Sequence, residues 1–308
     1  MDQKTSSSGQ SLDELLACYL HPAEYRATAI VPSFHHRLNI LDAWAIPTSD
    51  ARLLDIGCGQ GESCLVLANT SKNFQVTGID RGPPDYGSPY TLAQSQEFIL
   101  ASPLGQRITF KRTDPVTFLK AEDGQAPGSF DAACFMHSLW YFSSADEVRD
   151  VFSALAESQV KRVYIAEWAG TASRPEQEAH LLAFQAQKKL YNMRPVEGES
   201  RLHDQNVRGA LLPEELFDVA AQAGGYKVAR RGSLAAPDDV LDGVWEAGYV
   251  TSDDYTQCTL ELKDLESTKK EELLAYQGKV KEAVEKAGGK KGVRCMDVTW
   301  AVLELSTA

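Results

Sequence analysis

The chain has 308 residues, of which 43% are apolar. This is enough to bury the core of one large domain with insertions. The formal net charge of -12 argues against nucleic acid as a partner, because sequence-independent affinity for nucleic acid comes from lysine and arginine facing phosphate. No apolar run approaches membrane-spanning length, and the polar first residues lack a signal-like apolar region. We therefore expect a cytoplasmic protein that binds neither nucleic acid nor a membrane.

The six cysteines form no CxxC pair, and no histidine-cysteine cluster has the spacing of a zinc site. Neither a disulfide framework nor a structural metal is therefore predicted. Cys58, Cys134 and Cys295 lie in a glycine-rich turn, in an apolar strand and just before another strand. We interpret each as a small buried residue.

The part of the chain before the first predicted strand is polar at first and then helical. Residues 1–11 are predicted to form a disordered tail and residues 12–50 a helical cap. The cap contains the trio His35, His36 and Arg37. We interpret this trio as a solvated helix face in preference to a group that reaches a ligand.

A short strand that runs into a glycine-rich turn is the most specific motif of the chain. The segment LLDIGCGQGE, residues Leu53–Glu62, begins as a dense apolar run typical of a buried parallel strand. Gly57, Gly59 and Gly61 follow, and the next residues have the apolar spacing of a helix. Glycine tolerates positive φ and has no Cβ, so a ligand can approach backbone amides at the helix N-terminus. The turn predicts a site for a nucleoside-containing ligand.

The spacing of the glycines narrows the choice of ligand. A dinucleotide fingerprint reads GxGxxG and places a diphosphate over the amides, whereas this turn reads DxGxGxG, with Asp55 two residues before Gly57. A carboxylate there would repel a diphosphate but would suit an ammonium group and a sulfonium charge. The motif resembles the first motif of class I S-adenosylmethionine-dependent methyltransferases. The same spacing disfavours a nicotinamide-dependent oxidoreductase.

Later positions strengthen the resemblance. Asp80 follows the strand predicted at 74–79, where a carboxylate can take both hydroxyls of a ribose. The resemblance implies that Asp114 holds the adenine amino group and that the residues after the fourth strand lie under the methyl group of the cofactor. Helix capping is the alternative for both acids. The full set of predicted cofactor-binding residues is Asp55, Gly57, Cys58, Gly59, Gly61, Asp80, Arg81, Asp114, Pro115 and Met136.

Strand-like and helix-like segments alternate between residues 51 and 168, which indicates an α/β fold with a doubly wound parallel sheet. Two more strands are predicted, one near 226 and one over 296–305. The resemblance then implies a seven-stranded, mostly parallel sheet within a methyltransferase domain at 51–308. Helical insertions are predicted near 171–212 and 233–293.

The second insertion departs from the family, which usually joins its last two strands by a short hairpin. A helix is predicted from about Lys269 to Ala287, with Thr268 as its N-cap and Glu271 returning the bond. We interpret it as a surface helix docked on the sheet or on the N-terminal segment. The alternatives are a substrate lid or the contact of a homodimer.

Residues near the ends of the fourth and fifth strands are the candidates for acceptor chemistry. His137 follows the fourth strand and is the best candidate for a general base, because imidazole titrates near neutrality; positioning the cofactor is its alternative role. Glu167 could hold a cationic acceptor, act as a base or form a plain salt bridge. No set of metal ligands is predicted. The predicted substrate-binding residues, whose aromatic rings suit an apolar or aromatic acceptor, are Tyr19, Tyr25, Trp140, Tyr141 and Trp168.

These features together predict methyl transfer from S-adenosylmethionine to an oxygen or nitrogen atom of a small-molecule acceptor, by in-line displacement. Two alternatives stay open. One is methylation of a protein or peptide, and the other is a non-catalytic, cofactor-binding regulatory protein. Fold alone does not choose among them.

Overall fold

The computed structural model describes residues 10–49, 51–120, 128–193, 206–262 and 265–306. Within these ranges seven strands form one sheet, in the order β3-β2-β1-β4-β5-β7-β6. The first five strands run parallel, and β7 is antiparallel to both β5 and β6. This confirms the predicted seven-stranded, mostly parallel sheet. The strands are β1 (Ala51–Ile56), β2 (Phe74–Asp80), β3 (Ile108–Arg112), β4 (Ala132–Met136), β5 (Arg162–Trp168), β6 (Tyr226–Leu234) and β7 (Val298–Leu305).

Helices cover both faces of the sheet. The α-helices of the described ranges are α1 (Leu12–Leu16), α2 (Val31–Trp44), α3 (Glu62–Thr70), α4 (Leu92–Leu100), α5 (Pro115–Lys120), α6 (Ala145–Glu157), α7 (Glu178–Asn192), α8 (Pro213–Gly224), α9 (Asp242–Val250), α10 (Asp253–Leu260) and α11 (Ser267–Lys286). None of the helices in these ranges is long and apolar enough to cross a membrane.

Alternation along the strands creates two cores. Leu53 belongs to a cluster that includes residues of α2 and α3, whereas its neighbour Leu54 belongs to a cluster that includes residues of α6 and α8. Cys134 and Phe135 divide in the same way between the two clusters. Because successive side chains of a strand point to opposite faces, a fully apolar strand needs helices on both sides. The doubly wound arrangement follows from that requirement.

The N-terminal segment is attached to the sheet by α2. The indole nitrogen of Trp44 donates to the carbonyl of Ile165 over 3.0 Å, and Arg230 donates to the carbonyl of Trp44. Of the predicted disordered tail, residues 1–9 lie outside the described residues. Ser11 caps α1 in a capping box with Glu14, so an ordered helix start lies at the end of the predicted tail.

The second insertion packs on α7. Apolar residues of α9, α10 and α11 form a third cluster with α7 that includes Leu190, Val250, Tyr255 and Leu273. The interpretation of α11 as docked on the sheet or the N-terminal segment is therefore wrong. The predicted cap is also wrong: α11 begins at Ser267, so Thr268 lies inside its first turn, and no side chain caps the helix. Residues 194–205 of the first insertion lie outside the described residues.

Trp44 provides a test of how strongly α2 stabilises the fold. Its side chain is fully buried, whereas Trp245 on α9 is 57% exposed. We expect Trp44→Ala to lower the free energy of unfolding by about 3 to 5 kcal/mol, because it leaves a cavity and removes the bond to Ile165. The control Trp245→Ala should change it by no more than about 0.5 kcal/mol. Urea unfolding curves measure both values, and equal losses would contradict the role given to α2.

Candidate active site

The glycine turn joins β1 to α3, and its three glycines have positive φ angles of 75°, 52° and 98°. At two of these positions close packing leaves no room for a Cβ atom. A Cβ on Gly57 would lie 2.6 Å from the Cβ of Ser138, and one on Gly61 would lie 2.6 Å from Ile99. The space beside Gly59 is open, with no atom within 4 Å of a Cβ built there. Gly59 is thus where the turn leaves room for a ligand.

The amides of the turn bind mainly to the end of β2. The N–H groups of Gly57 and Cys58 donate to the carbonyl of Ile79 over 2.9 and 3.1 Å. Gly59 donates to Oδ2 of Asp80 over 2.9 Å. The expectation that a ligand lies on bare amides is wrong for these three groups. A diphosphate needs such donors, so these three amides are not available to one.

Asp80 lies at the end of β2 and borders the cavity described below. Its Oδ1 accepts the N–H of Gly82 over 2.7 Å, while Oδ2 accepts that of Gly59. An ionised carboxylate offers about four acceptor positions. Two backbone donors therefore orient this carboxylate and leave acceptor capacity for hydroxyl groups of a ligand.

Asp55 lies beneath the turn, away from the cavity. It is buried, and it accepts hydrogen bonds from the hydroxyl of Ser63 and from the thiol of Cys64 at 3.1 Å. Burial raises the pKa of Asp55 to about 6, although the bonds from Ser63 and Cys64 and the charge of Arg37 act in the opposite direction. The structure does not support the prediction that this carboxylate faces the ligand directly. Asp55 instead braces the first turn of α3 from below.

Asp114 caps a helix. Its Oδ1 accepts the N–H of Thr117 over 3.0 Å at the start of α5. Its neighbours Thr113 and Pro115 border the cavity, but Asp114 itself does not. The predicted contact with a ligand is therefore not supported for Asp114, and the capping alternative describes its position.

A cavity of about 400 Å³ opens over the glycine turn at the carboxyl ends of β1, β2 and β4. Ligand-binding pockets have volumes of about 300 to 1,000 Å³. The predicted site residues that line it are Gly57, Cys58, Gly59, Asp80, Arg81, Pro115, Met136, His137 and Tyr141. Those that do not are Asp55, Gly61, Asp114, Tyr19, Tyr25, Trp140 and Trp168.

Four of the five predicted substrate-binding aromatic residues lie elsewhere. The hydroxyl of Tyr19 lies 2.7 Å from Oε1 of Glu62, so this buried ring supports the start of α3. Tyr25 is half exposed. Trp140 stacks on a phenylalanine of α7, and Trp168 stacks on a histidine. Trp140 and Trp168 are thus committed to packing against side chains of α2 and α7, and none of the four residues lines the cavity.

His137 occupies a strained position at the end of β4. Its φ angle is 54°, a left-handed value that is uncommon outside glycine and is often found at functional sites. The ring stacks on Trp168 at 4.3 Å between centroids. Nδ1 lies 3.4 Å from Oε1 of Glu167, and Nε2 lies 2.9 Å from Nε2 of His36. Both ring nitrogens of His137 therefore have partners.

Backbone donors orient Glu167. Its Oε1 accepts the N–H of Trp168 over 3.0 Å, and its Oε2 accepts that of Leu139 over 3.1 Å. The side chain is buried, and no lysine or arginine pairs with it in the described part of the chain. A salt bridge of Glu167 is therefore possible here only with His137, when that imidazole is protonated. The carboxylate faces His137.

Comparison with known proteins identifies the chain. The model of a methyltransferase domain matches residues 25–197. The methyltransferases phomM and phomM' of Diaporthe leptostromiformis are 34% and 33% identical to the chain, over 97% of this chain and 91% of each relative. This protein belongs to the class I S-adenosylmethionine-dependent methyltransferases. In structure it is similar to a cyclopropane-fatty-acyl-phospholipid synthase-like protein from Lactobacillus casei, with 27% identity, a TM-score of 0.75, and coverage of 96% of this chain and 98% of the other.

The methyltransferase cavity also contains residues that the sequence analysis missed. Arg37 lines it, and His36 is buried, so the interpretation of His35, His36 and Arg37 as a solvated face holds only for exposed His35. A signal was present, because His36 precedes Ile40 by four residues and Trp44 by eight. That spacing places it on the buried face of α2. Other cavity residues missed are Gln60, Glu62, Tyr86, Glu147 and Arg208.

Asp55 gives the methyltransferase a specific pH dependence. The pKa of Asp55 rises from its ordinary value of 3.8 to about 6 in the folded protein, so the folded state binds the extra proton between these values. Its contribution to stability is greatest below pH 4 and falls by about 3 kcal/mol as the pH rises through 6. Asp55→Asn should remove this slope. Urea unfolding at pH 4.5 and pH 7.5 compares the two proteins, and parallel pH profiles would show that the buried carboxyl is not perturbed.

Proposed function

We propose that this enzyme transfers the methyl group of S-adenosylmethionine to an oxygen or nitrogen atom of a small molecule by in-line displacement. The observation that carries the proposal is one cavity lined by both Gly59, which leaves open space, and His137, with Asp80 and Tyr141 also in its wall. Cofactor and acceptor would share its volume of about 400 Å³, which favours an acceptor of small size.

The residues around the turn fit the cofactor. Arg37 borders the cavity, and its Nε is buried and has no hydrogen-bond partner among the described residues. A buried donor of this kind suits the carboxylate of the methionine part, and the Glu62 carboxylate suits its ammonium group. Asp80 would accept the ribose hydroxyls. When bound, the cofactor supplies an electrophilic methyl group on its sulfonium sulfur.

The acceptor would lose its proton to His137. Glu167 lies beside Nδ1, so a positive charge on the His137 ring would be compensated by the carboxylate. Because Nδ1 faces Glu167, only Nε2 could take the proton, and the acceptor would have to replace His36 as the partner of Nε2. An acceptor with an O–H or N–H group meets this requirement.

Side-chain chemistry supports a proposal for the cellular setting and the ion requirement. All six cysteines are free thiols, and five of them are buried, a pattern typical of a reducing compartment such as the cytoplasm. Histidine, cysteine, aspartate and glutamate form no group of three able to hold a metal ion within the described ranges. We propose cytoplasmic, metal-independent methyl transfer, with activity retained in EDTA.

Gly59→Val tests the cofactor site. The added side chain would occupy the open space over the turn, so binding of S-adenosylmethionine in calorimetry should be abolished. Gly225→Val is the matched control, because Gly225 also has a positive φ, 69°, and open space around a Cβ, but it ends α8 away from the cavity. Equal binding by both variants would show that the cofactor does not lie over Gly59.

Labelled S-adenosylmethionine tests the reaction. Incubated with a cell extract separated by size, the enzyme should label the small-molecule fraction, with or without EDTA. Label only in the protein fraction would contradict the proposal and would indicate methylation of a peptide or protein. Cofactor binding without label in any fraction would favour a non-catalytic role, and activity lost in EDTA and restored by magnesium would overturn metal independence.

His137→Ala tests the proton acceptor. Once an acceptor is found, this substitution should lower kcat by about 10² to 10⁴-fold, the usual contribution of general base catalysis, with little change in cofactor affinity. His35→Ala is the control, since His35 is an exposed histidine of α2 that does not line the cavity. Unchanged turnover of His137→Ala would leave acceptor positioning alone as the mechanism.

A further inference from the structure

His36 is a buried imidazole that contacts His137, a residue 101 positions later in the chain. It is 1% exposed. Its ring lies parallel to the indole of Trp168, at 5.4 Å between centroids and 5° between planes. The ring of His137 stacks on the same indole. Trp168 thus holds the two imidazoles at a fixed distance.

The short contact between the two imidazoles has room for one hydrogen. The Nε2 atoms of His36 and His137 lie 2.9 Å apart, so one nitrogen donates and the other accepts. An ionised carboxylate only accepts hydrogen bonds, so the contact with Glu167 favours a hydrogen on Nδ1 of His137, but at 3.4 Å it is too long to fix that tautomer alone. A neutral His137 then has a bare Nε2. His36 must therefore be the donor, through its own Nε2–H.

The surroundings of His36 agree with this assignment. A neutral His36 protonated at Nε2 has a bare Nδ1, and Nδ1 is buried without a hydrogen-bond partner among the described residues. Burial, His137 and Arg37 hold the pKa of His36 well below its ordinary value, so the ring stays neutral. The opposite tautomer would bury an N–H group without an acceptor, which is rare in folded proteins.

We propose that His36 is a positioning residue for His137, which donates from Nε2 to Nε2 and thereby selects the tautomer of His137 with a lone pair on Nε2. This inference rests on the proposed function, because that lone pair is the one available to an acceptor proton. Glu167 accepts the hydrogen on Nδ1, and donation from His36 keeps Nε2 of His137 without a hydrogen until the acceptor takes its place. The N-terminal segment thereby contributes to the state of the base.

Histidine tautomers report directly on this proposal. Long-range proton–nitrogen NMR of the full chain, labelled with ¹⁵N at histidine and saturated with S-adenosylhomocysteine, identifies which ring nitrogen carries hydrogen. The expected result is a hydrogen on Nδ1 of His137 and on Nε2 of His36. The variant His137→Gln assigns the His137 signals by their loss. A hydrogen on Nε2 of His137 in the unsubstituted protein would overturn the proposal.

Substitutions at position 36 separate donation from packing. His36→Phe keeps an aromatic ring against Trp168 but removes the donor, so the His137 signals should move to values of mixed tautomers. His36→Gln offers an amide donor and should restore the Nδ1–H signature, while His35→Gln should leave it unchanged. A fixed Nδ1–H tautomer in His36→Phe would show that Glu167 suffices and would overturn the proposal.

The tautomer measurement needs no acceptor, so it fails or succeeds independently of the proposed reaction. Calorimetry with S-adenosylhomocysteine checks that each variant is folded, and the unsubstituted protein remains informative if His36→Phe is not. With an acceptor in hand, kcat should fall in His36→Phe and recover in His36→Gln, with KM for the cofactor unchanged. Suppose that the expected tautomers are found but His137→Ala keeps full turnover. His137 would then not be the general base, while the selection of its tautomer by His36 would still hold.

Discussion

The hydrogen bonds between the end of β2 and the glycine turn after β1 shape the opening over which we propose that the cofactor binds. The Ile79 carbonyl and the Asp80 carboxylate take up amides of the turn, so the turn is held against the neighbouring strand. Its remaining opening lies over Gly59. A ligand over the turn therefore meets glycine backbone and carboxylates, and few free N–H donors. Such a surface suits the ammonium group of an amino acid better than a diphosphate.

Three separate parts of the chain complete the site around this turn. The N-terminal helix α2 contributes Arg37 to the cavity and His36 to the contact with His137. The sheet contributes Glu167 at the end of β5. The insertion helix α7 packs Phe184 against Trp140 and so covers the outer side of the loop after β4. The glycine turn is local in sequence, whereas the proposed acceptor end is assembled from distant segments.

Buried acids occur both in the sheet and in the second insertion. Asp55 of β1 lies under the glycine turn, and Glu246 of α9 accepts hydrogen bonds from Gln187 and Asn206. Burial raises the pKa of both carboxyls. A buried carboxylate destabilises a fold unless donors surround it. Asp55 links the strand end to the first turn of α3, and Glu246 links α9 to α7 through Gln187.

The sequence by itself determined the sheet, the glycine turn and the position of Asp80, because these depend on periodicity and on spacing within about thirty residues. Only the tertiary structure decided which polar groups meet. In the structure Asp55 and Asp114 lie outside the cavity, and Tyr19 lies at the start of α3. His137 contacts His36 and Glu167. The physical reason is that spacing along the chain can indicate which face of a helix is buried, as it does for His36, but not which distant residue that face meets. For Asp55 and Asp114, spacing also does not decide between a ligand and nearby donors of the chain itself.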